Sequence, residues 1–553
     1  MNHGLTMTWT NTVQYDWNVN DHAFNALVGM ESSRYEGTYV GAGNGSLKEG
    51  FDDWAHAYVS NGTSSTSADG LSASGSPNDE TRTVSYFGRL GWNWKETYMV
   101  NATLRADGSS KFASGKRFGY FPSVSAGWTI SNEPFMKSVE SWLDFLKLRA
   151  SWGQVGNQNI SNYQYLAPIK TTNTHYLFGT TGYDDAASAA ALGRNWGAFP
   201  SRVANPDVTW ETSEQLNVGL DARMIGGHLN VNLDYYIKTT KDWLVAAPIL
   251  ATVGTGAPYI NGGDVKNKGF EFNLTWNDNI GNDFQYNIGV NGAFNKNKVG
   301  RIPTEDGIIH GSTNQLYDNA PEFYRAENGH AIGYFWGYKT AGIFQNEQEI
   351  NEWISNGNGV LQGASVKPGD VKYYDINHDG QINDADKVDL GNGVPDFTLG
   401  FNLGFDYKGL DFSFQANGAF GQQIVQTYRN HANAQANYTT EILNRWTGEG
   451  TSNLIPRVTT TNINWQFSDL YVHDADFLRI SNVTLGYDLA RIWKNKYCKQ
   501  LRIYVQAQNL FTFTKYKGMD PEIGYGTDGW VSGVDVGYYP RPRTFLVGAN
   551  IKF

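Results

Sequence analysis

The 553-residue sequence holds a single cysteine, Cys498, so no internal disulfide can staple the fold, and the lone thiol is read as structural. Long hydrophobic runs are also missing. None approaches the roughly eighteen apolar residues a membrane helix needs, and mean hydropathy is -0.47, which excludes a helical membrane protein. The net charge of -11 is spread along the chain with no basic stripe, which argues against a nucleic-acid surface. No HExxH, CxxC, Walker loop or GxSxG occurs, and the 10 histidines are scattered, so enzyme chemistry has no foothold. After Met1 a strand-like pattern begins almost at once, without basic n-region, apolar core or cleavage site. An exported protein carries these, so the expectation is a longer precursor or a late-starting frame.

What the sequence has is rings and glycine. Aromatic residues make up 14%, with 18 Trp, 32 Tyr and 62 Gly, a composition of strands and turns. Tyr and Trp also favour membrane interfaces. Periodicity then separates a large soluble β-sandwich from a membrane barrel. Phe397, Leu399, Phe401, Leu403, Phe405 and Tyr407 alternate with Thr398, Gly400, Asn402, Gly404, Asp406 and Lys408. After the turn Lys408-Gly409, Leu410, Phe412, Phe414 and Ala416 alternate with Asp411, Ser413, Gln415 and Asn417. The same period of two runs through residues 270–276, 284–291 and 501–508.

Alternation suits both classes, so length and connections decide. Membrane strands need about nine to eleven residues, against about five to six in soluble sheets. Many of these runs reach membrane length. Short connections near 18–21, 95–97, 130–144, 223–228, 278–283, 408–409 and 488–499 alternate with long ones near 35–82, 107–118, 154–207, 239–266, 297–395, 422–471 and 514–541. Short periplasmic turns with long outer loops mark outer-membrane barrels. The reading is all-β: a transmembrane antiparallel β-barrel of fifteen strands, with Ala331–Phe344 as an external excursion inside the loop 297–395. The first and last strands run the same way, so even-numbered closure implies an odd number of further strands. A plugged barrel of about 22 strands would need about seven more. Residues 1–553 are thus expected to be one barrel portion, incomplete at its N-terminus, which by itself would leave two strand edges unpaired in lipid. The last strand alternates Phe545, Val547, Ala549, Ile551 and Phe553 with Leu546, Gly548, Asn550 and Lys552. A final aromatic at Phe553 resembles the signal that barrel-insertion machinery reads.

Several segments resemble the SusC/RagA family of TonB-dependent transporters from Bacteroidetes-type bacteria. They are Arg105-Ala-Asp-Gly-Ser-Ser-Lys-Phe112, Arg117–Trp128, Leu146–Gly153, Asn205–Thr212, Gln215–Asp221, Asn267–Glu271, Pro368–Tyr373 and Pro395-Asp-Phe397. The resemblance covers nearly the whole chain. It implies outer-membrane import of oligosaccharides or peptides, powered through TonB, with a SusD-like surface lipoprotein closing over the barrel mouth. It also implies that signal peptide, carboxypeptidase-like domain, TonB-contacting segment and plug precede Met1.

Among possible sites, Asp375-Ile-Asn377-His-Asp379-Gly380-Gln381-Ile-Asn383-Asp-Ala-Asp386 fits the calcium-loop template. Side-chain oxygens stand at positions 1, 3 and 5, Gly at 6, a backbone carbonyl at 7 and a carboxylate at 12. Asp386 is shorter than the usual Glu, and no helices flank the motif. The bland alternative is an Asp/Asn/Gly-rich turn that binds nothing. Gly524–Gly529 spells a dinucleotide fingerprint without a βαβ unit around it and is read as a loop. Substrate contact is expected from rings and polar groups: Arg502, Tyr504, Gln506 and Gln508 on one strand, and Trp530, Tyr538, Tyr539 and Trp196 in loops. The alternatives for these are a hydrated wall and loop cores. Two other functions compete with import: a passive porin-like or adhesin barrel, and a soluble carbohydrate-binding β-protein.

Overall fold

The computed structural model describes residues 2–45, 58–64, 70–171, 175–176, 195–246, 249, 251–433, 435–493, 497–523 and 529–553. Fifteen strands hydrogen-bond in one sheet, ordered as they occur in the chain. They are β1 (Asn2–Val19), β2 (His22–Asn44), β3 (Leu71–Trp94), β4 (Tyr98–Ser109), β5 (Phe118–Thr129), β6 (Leu143–Asn157), β7 (Glu211–Met224), β8 (Leu229–Lys241), β9 (Val265–Ile280), β10 (Phe284–Val299), β11 (Phe397–Tyr407), β12 (Leu410–Phe420), β13 (Phe477–Asp488), β14 (Gln500–Thr514) and β15 (Thr544–Lys552). The fifteen expected strands are these fifteen. Ala331–Phe344 contributes Tyr334–Tyr338 and Thr340–Ile343 to small separate sheets, as an external excursion should. Among the described residues no helix is long and apolar enough to cross a membrane.

Two expectations about the connections need correction. Residues 35–44 and 71–82 are strand and not loop, because β2 and β3 stay paired out to Asn44 opposite Leu71. Loop length also does not alternate strictly: the connection 110–117 is shorter than the supposed short turn 130–142, which winds through two 3-10 turns. Thr, Ser and Gly dominate the outer parts of β2 and β3, so their strand pairing lacks the oily alternation that betrayed the others.

The chain divides into two compact units. The first comprises Met1–Ala126, Ser151–Glu214 and Thr240–Gly262. Its edge strand β1 carries Leu5, Met7, Trp9, Val13, Tyr15 and Val19 on one face, exposed along with the polar residues between them. An unburied apolar face of that length suits a sheet that meets lipid. Next to the short turns Asn20-Asp21 and 95–97, Trp17 stacks on Phe24 (5.2 Å between centroids), Trp94 on Tyr98 (5.6 Å), and Lys95 lies 5.3 Å above Trp94. Rings and a cation beside the short turns form the interfacial girdle of a membrane barrel. The unit's core is Phe112, Phe121, Ile160, Val208 and Trp210. The Trp210 indole N–H donates to the Arg117 carbonyl at 2.8 Å.

The second unit comprises Gly127–Ala150, Gln215–Thr239 and Gly263–Phe553. Its hairpin β11–β12 turns on Lys408 (φ 47°) and Gly409 (φ 90°), the doubly positive pair that matches strand twist. A row of rings stands beside the turns here too, with Phe284 5.7 Å from Phe405 and Phe405 5.2 Å from Phe412. On β14 and β15 the oily phase is outermost again: Val505 is 50% exposed and Val547 80%.

Above these strands the described residues of the segments 300–396, 421–476 and 515–543 fold together. Gln423–Gln426 pairs antiparallel with Val472–Asp474 and parallel with Val534–Asp535. Leu316, Tyr317, Ala320, Phe323, Tyr324, Phe335, Val425, Phe467, Tyr471, Val531 and Val534 form one buried cluster. Most of the chain's largest fully buried side chains lie in this loop module. It is a core, where the sequence led one to expect connecting loops.

Candidate functional site

The polar face of the wall is laced by side chains. Arg149 on β6 donates to Asp221 on β7 at 2.7 and 3.0 Å and to Asp234 on β8 at 2.9 Å. A Cβ on Gly219 would stand 2.6 Å from that guanidinium, so a larger residue there would push the Arg149 side chain aside. Arg502 on β14 forks onto Asp411 of β12, with the Nε bond at 2.7 Å, and lies 4.6 Å over the Tyr504 ring. Tyr504 covers Gly548, and Gln506 donates to Asn482 at 2.6 Å. Arg502, Tyr504, Gln506 and Gln508 therefore share one polar face of the wall, Arg502 and Gln506 in side-chain hydrogen bonds and Gln508 half-buried.

The loop residues separate. Trp530 packs against the loop-module core and meets Tyr324 edge-on at 5.4 Å. Tyr539 is 89% exposed and Tyr538 also faces outward. The side chain of Trp196 and the glycine pattern at 524–528 lie outside the described residues. Phe553 follows the last strand and is exposed.

Residues 375–386 form a tight loop that ends in a 3-10 turn, Asp384–Asp386. Gly380 has φ 80°, as a sharp turn at that position demands. The Asp375 carboxylate accepts the amides of Asp379 (3.2 Å) and Gly380 (2.7 Å). Fully buried Asp386 accepts those of Ile376 (2.9 Å) and Asn383 (2.8 Å). Asn377 Oδ1 takes the Asp379 amide, Asp379 Oδ1 the Gln381 amide, and Asn383 Oδ1 the Ala385 amide. Asp375, Asn377, Asp379, Asn383 and Asp386 thus each turn a side-chain oxygen back on the loop's own backbone, while Asp379 Oδ2 accepts the Asn377 side-chain amide at 3.0 Å.

The feature missed by sequence reasoning is a cavity of about 600 Å³ in the loop module. Its wall includes Arg429, His431, Tyr438, Trp465, Tyr471 and Lys517. His431 stacks on Trp465 with centroids 4.0 Å apart and 19° between planes, and Tyr471 meets both rings edge-on. Arg429 lies 3.7 Å over Tyr438. Burial, and then the charge of Arg429, push the His431 imidazole down from 6.5 to about 3. A signal was present, since residues 428–474 carry Tyr428, Arg429, His431, Tyr438, Trp465 and Tyr471 within a stretch with no strand period.

These wall and loop features can be set beside known proteins. A sequence model of the family described as "TonB dependent receptor-like, beta-barrel" matches residues 2–510. The chain belongs to that family. Among relatives of this receptor barrel, TonB-dependent receptor P3 of Formosa agariphila is 32% identical over 519 residues, covering 91% of the chain and 49% of that protein. TonB-dependent receptor SusC of Bacteroides thetaiotaomicron is 30% identical over 479 residues, covering 85% and 44%. The chain spans about half the length of these curated relatives. A solved RagAB peptide transporter superposes with TM-score 0.77 at 25% identity, over 100% of the chain and 56% of that one. The receptor barrel is thus of SusC/RagA type, and its place is the outer membrane. The segments that carried the resemblance meet in the structure: Phe112, Phe121 and Trp210 in one core, Arg149 and Asp221 in one ion pair.

One pH effect follows from the cavity. A folded-state imidazole held at about 3 contributes stability fully present above the unfolded value near 6.5, and lost as pH falls toward about 3. His473, also pushed down by burial, titrates with the same sign. Acidification of the full-length receptor from neutral pH to about 4 is expected to lower the protection of residues 425–474 relative to their intrinsic exchange rates at each pH, and His431→Phe to blunt the loss. Protection there that ignores pH, or ignores the substitution, would contradict the assignment.

Proposed function

We propose that the receptor barrel is the wall and outer-loop module of an importer that takes oligosaccharides or peptides through the outer membrane. TonB would supply energy through a region upstream of this segment, and a SusD-like surface lipoprotein would cover the loops. The observation that carries this reading is the pairing of a polar, ion-paired wall with a folded, cavity-bearing loop module, on a barrel similar to SusC and to the RagAB peptide transporter. A passive pore needs an open mouth. Here the segments above the strands are ordered into a core.

The test is uptake in the native bacterium. Loss of the gene is expected to abolish growth on particular oligosaccharides or peptides, and loss of TonB function to do the same. Uptake that persists without TonB would favour the passive barrel. A tagged full-length receptor extracted from outer membranes is expected to bring a SusD-like lipoprotein with it.

Calcium at 375–386 belongs to the same proposal. Asp375, Asn377, Asp379, the Gln381 carbonyl and Asp386 are the donor types such an ion takes, and the turn at Gly380 has the required backbone. Bound calcium would stiffen the loop. Full-length receptor is expected to melt higher in millimolar calcium than in chelator; equal melting would leave the turn's own hydrogen bonds as its whole role.

A further inference from the structure

Three arginines are buried among the described residues: Arg325, Arg429 and Arg479. Two of them hold carboxylates. Arg325 pairs with Glu322, and Arg479 with Asp520 and Glu522. Arg429, only 8% exposed, has no carboxylate within 4.0 Å among the described residues. Its Nη atoms donate to the carbonyls of Ala436, Asn437 (3.4 Å) and Asn433 (3.3 Å). Its Nε is buried with no hydrogen-bond partner. A buried cation without a counter-charge is costly, and this one lines an open cavity.

The rest of the wall carries two further cations and three carboxylates, Glu441, Asp469 and Asp474. Lys515 and Lys517 stand exposed in it, with no carboxylate within ion-pair distance among the described residues. Of the acids in the wall, Asp469 is taken up by the Thr340 amide and hydroxyl (3.2 and 2.7 Å), and Asp474 by the Asp476 amide (3.0 Å). By formal charge the wall is balanced, Arg429, Lys515 and Lys517 against Glu441, Asp469 and Asp474, and what sets Arg429 apart is burial with no carboxylate within 4.0 Å among the described residues.

We propose that this cavity binds the acidic sugar units of an oligosaccharide, a hexuronate carboxylate meeting Arg429 while the pyranose lies against the ring-lined wall. The inference rests on the reading of the chain as an importer and narrows its cargo. Flat rings suit the C–H face of a pyranose, and Thr439, Thr440, Asn444 and Ser452 in the wall offer both donors and acceptors for hydroxyls. The volume, about 600 Å³, suits a small-ligand site. A peptide could add a strand to the edge of Val472–Asp474, which lines the cavity and is paired on one side only among the described residues; triglutamate tests that mode. Lys515 and Lys517 at the mouth would draw the anion in and make binding salt-dependent.

The test uses detergent-purified full-length receptor and calorimetry with uronate trimers of galacturonate, mannuronate and glucuronate type. Their carboxyl-reduced neutral counterparts and triglutamate serve as controls. At least one uronate trimer is expected to bind, its reduced form much more weakly. The double variant Lys515→Ala/Lys517→Ala, on exposed positions, is expected to weaken that binding by about tenfold and flatten its salt dependence, with an unchanged melting point. Arg429→Gln is expected to abolish it; should that variant fail to fold, the lysine variant still decides. Failure of every uronate trimer, equal binding of reduced trimers, or binding of triglutamate alone would overturn the assignment. TonB-dependent uptake without uronate binding sinks this inference and spares the importer reading, whereas uronate binding with TonB-independent uptake does the reverse.

Discussion

Replacing Arg479 by Met is expected to destabilise the docked segment 515–523 by about 3–5 kcal/mol, the cost of breaking a buried ion pair on one side. Arg479 on β13 is 2% exposed. It donates to Asp520 and Glu522 at 2.5 Å each and to the Thr512 hydroxyl at 3.0 Å. Asp520 is almost as buried and also accepts the Arg541 amide at 3.2 Å. Without the guanidinium two neighbouring carboxylates would be left, one with no route to water, and Arg541 at 2.9 Å from Glu522 would compensate only part. The readout is limited trypsin cleavage at Lys515 and Lys517 in full-length receptor. Cleavage should accelerate strongly in the variant, and an unchanged digestion pattern would show that the segment is held by something else.

A charge placed on the oily phase should be nearly as damaging. Val505 pairs with Leu485 on one side and Val547 on the other, all on the same exposed apolar face. Val505→Arg is expected to cost about 2–4 kcal/mol if the site lies near the bilayer mid-plane. The neighbouring Gln506→Arg, on the polar face beside Asn482, is expected to cost little. Denaturant titration of the full-length receptor in bilayers compares the two, and equal losses would refute the assignment of faces.

The strands were legible because their faces meet different solvents, so that Phe397 to Tyr407 and Leu501 to Gln508 write a period of two into the chain. β2 and β3 beyond residue 35 were not legible, because Ser, Thr and Gly on both faces leave no oily phase to see. The loop module was invisible for another reason. Its core joins Tyr324, Val425, Phe467 and Val534, and no short-range period announces a cluster assembled from three distant segments. Site residues followed the same division. Arg502 and Gln506 fell on the polar face their parity dictates, while Trp530, a ring in a loop, proved to be core. Arg429 drew no attention, since a lone arginine in a polar stretch looks solvated until its burial is known.

The parallel pairing of Gln423–Gln426 with Val534–Asp535 bears on the order of assembly. The Val425 amide reaches the Gly533 carbonyl at 2.8 Å, and the Thr427 hydroxyl the Asp535 carbonyl at 3.1 Å, a sequence separation of 108 residues. Contacts of such span form after the intervening chain has lost most of its freedom. In this chain β13 and β14 lie between them, so closure of the loop module is expected to follow the pairing of those two strands. Until it does, Phe323, Tyr324, Phe335 and Tyr471 are bare to the outside. Slow or failed closure would therefore show as a surface-exposed aromatic patch on an otherwise inserted barrel, a hazard on the cell's exterior and not within the membrane.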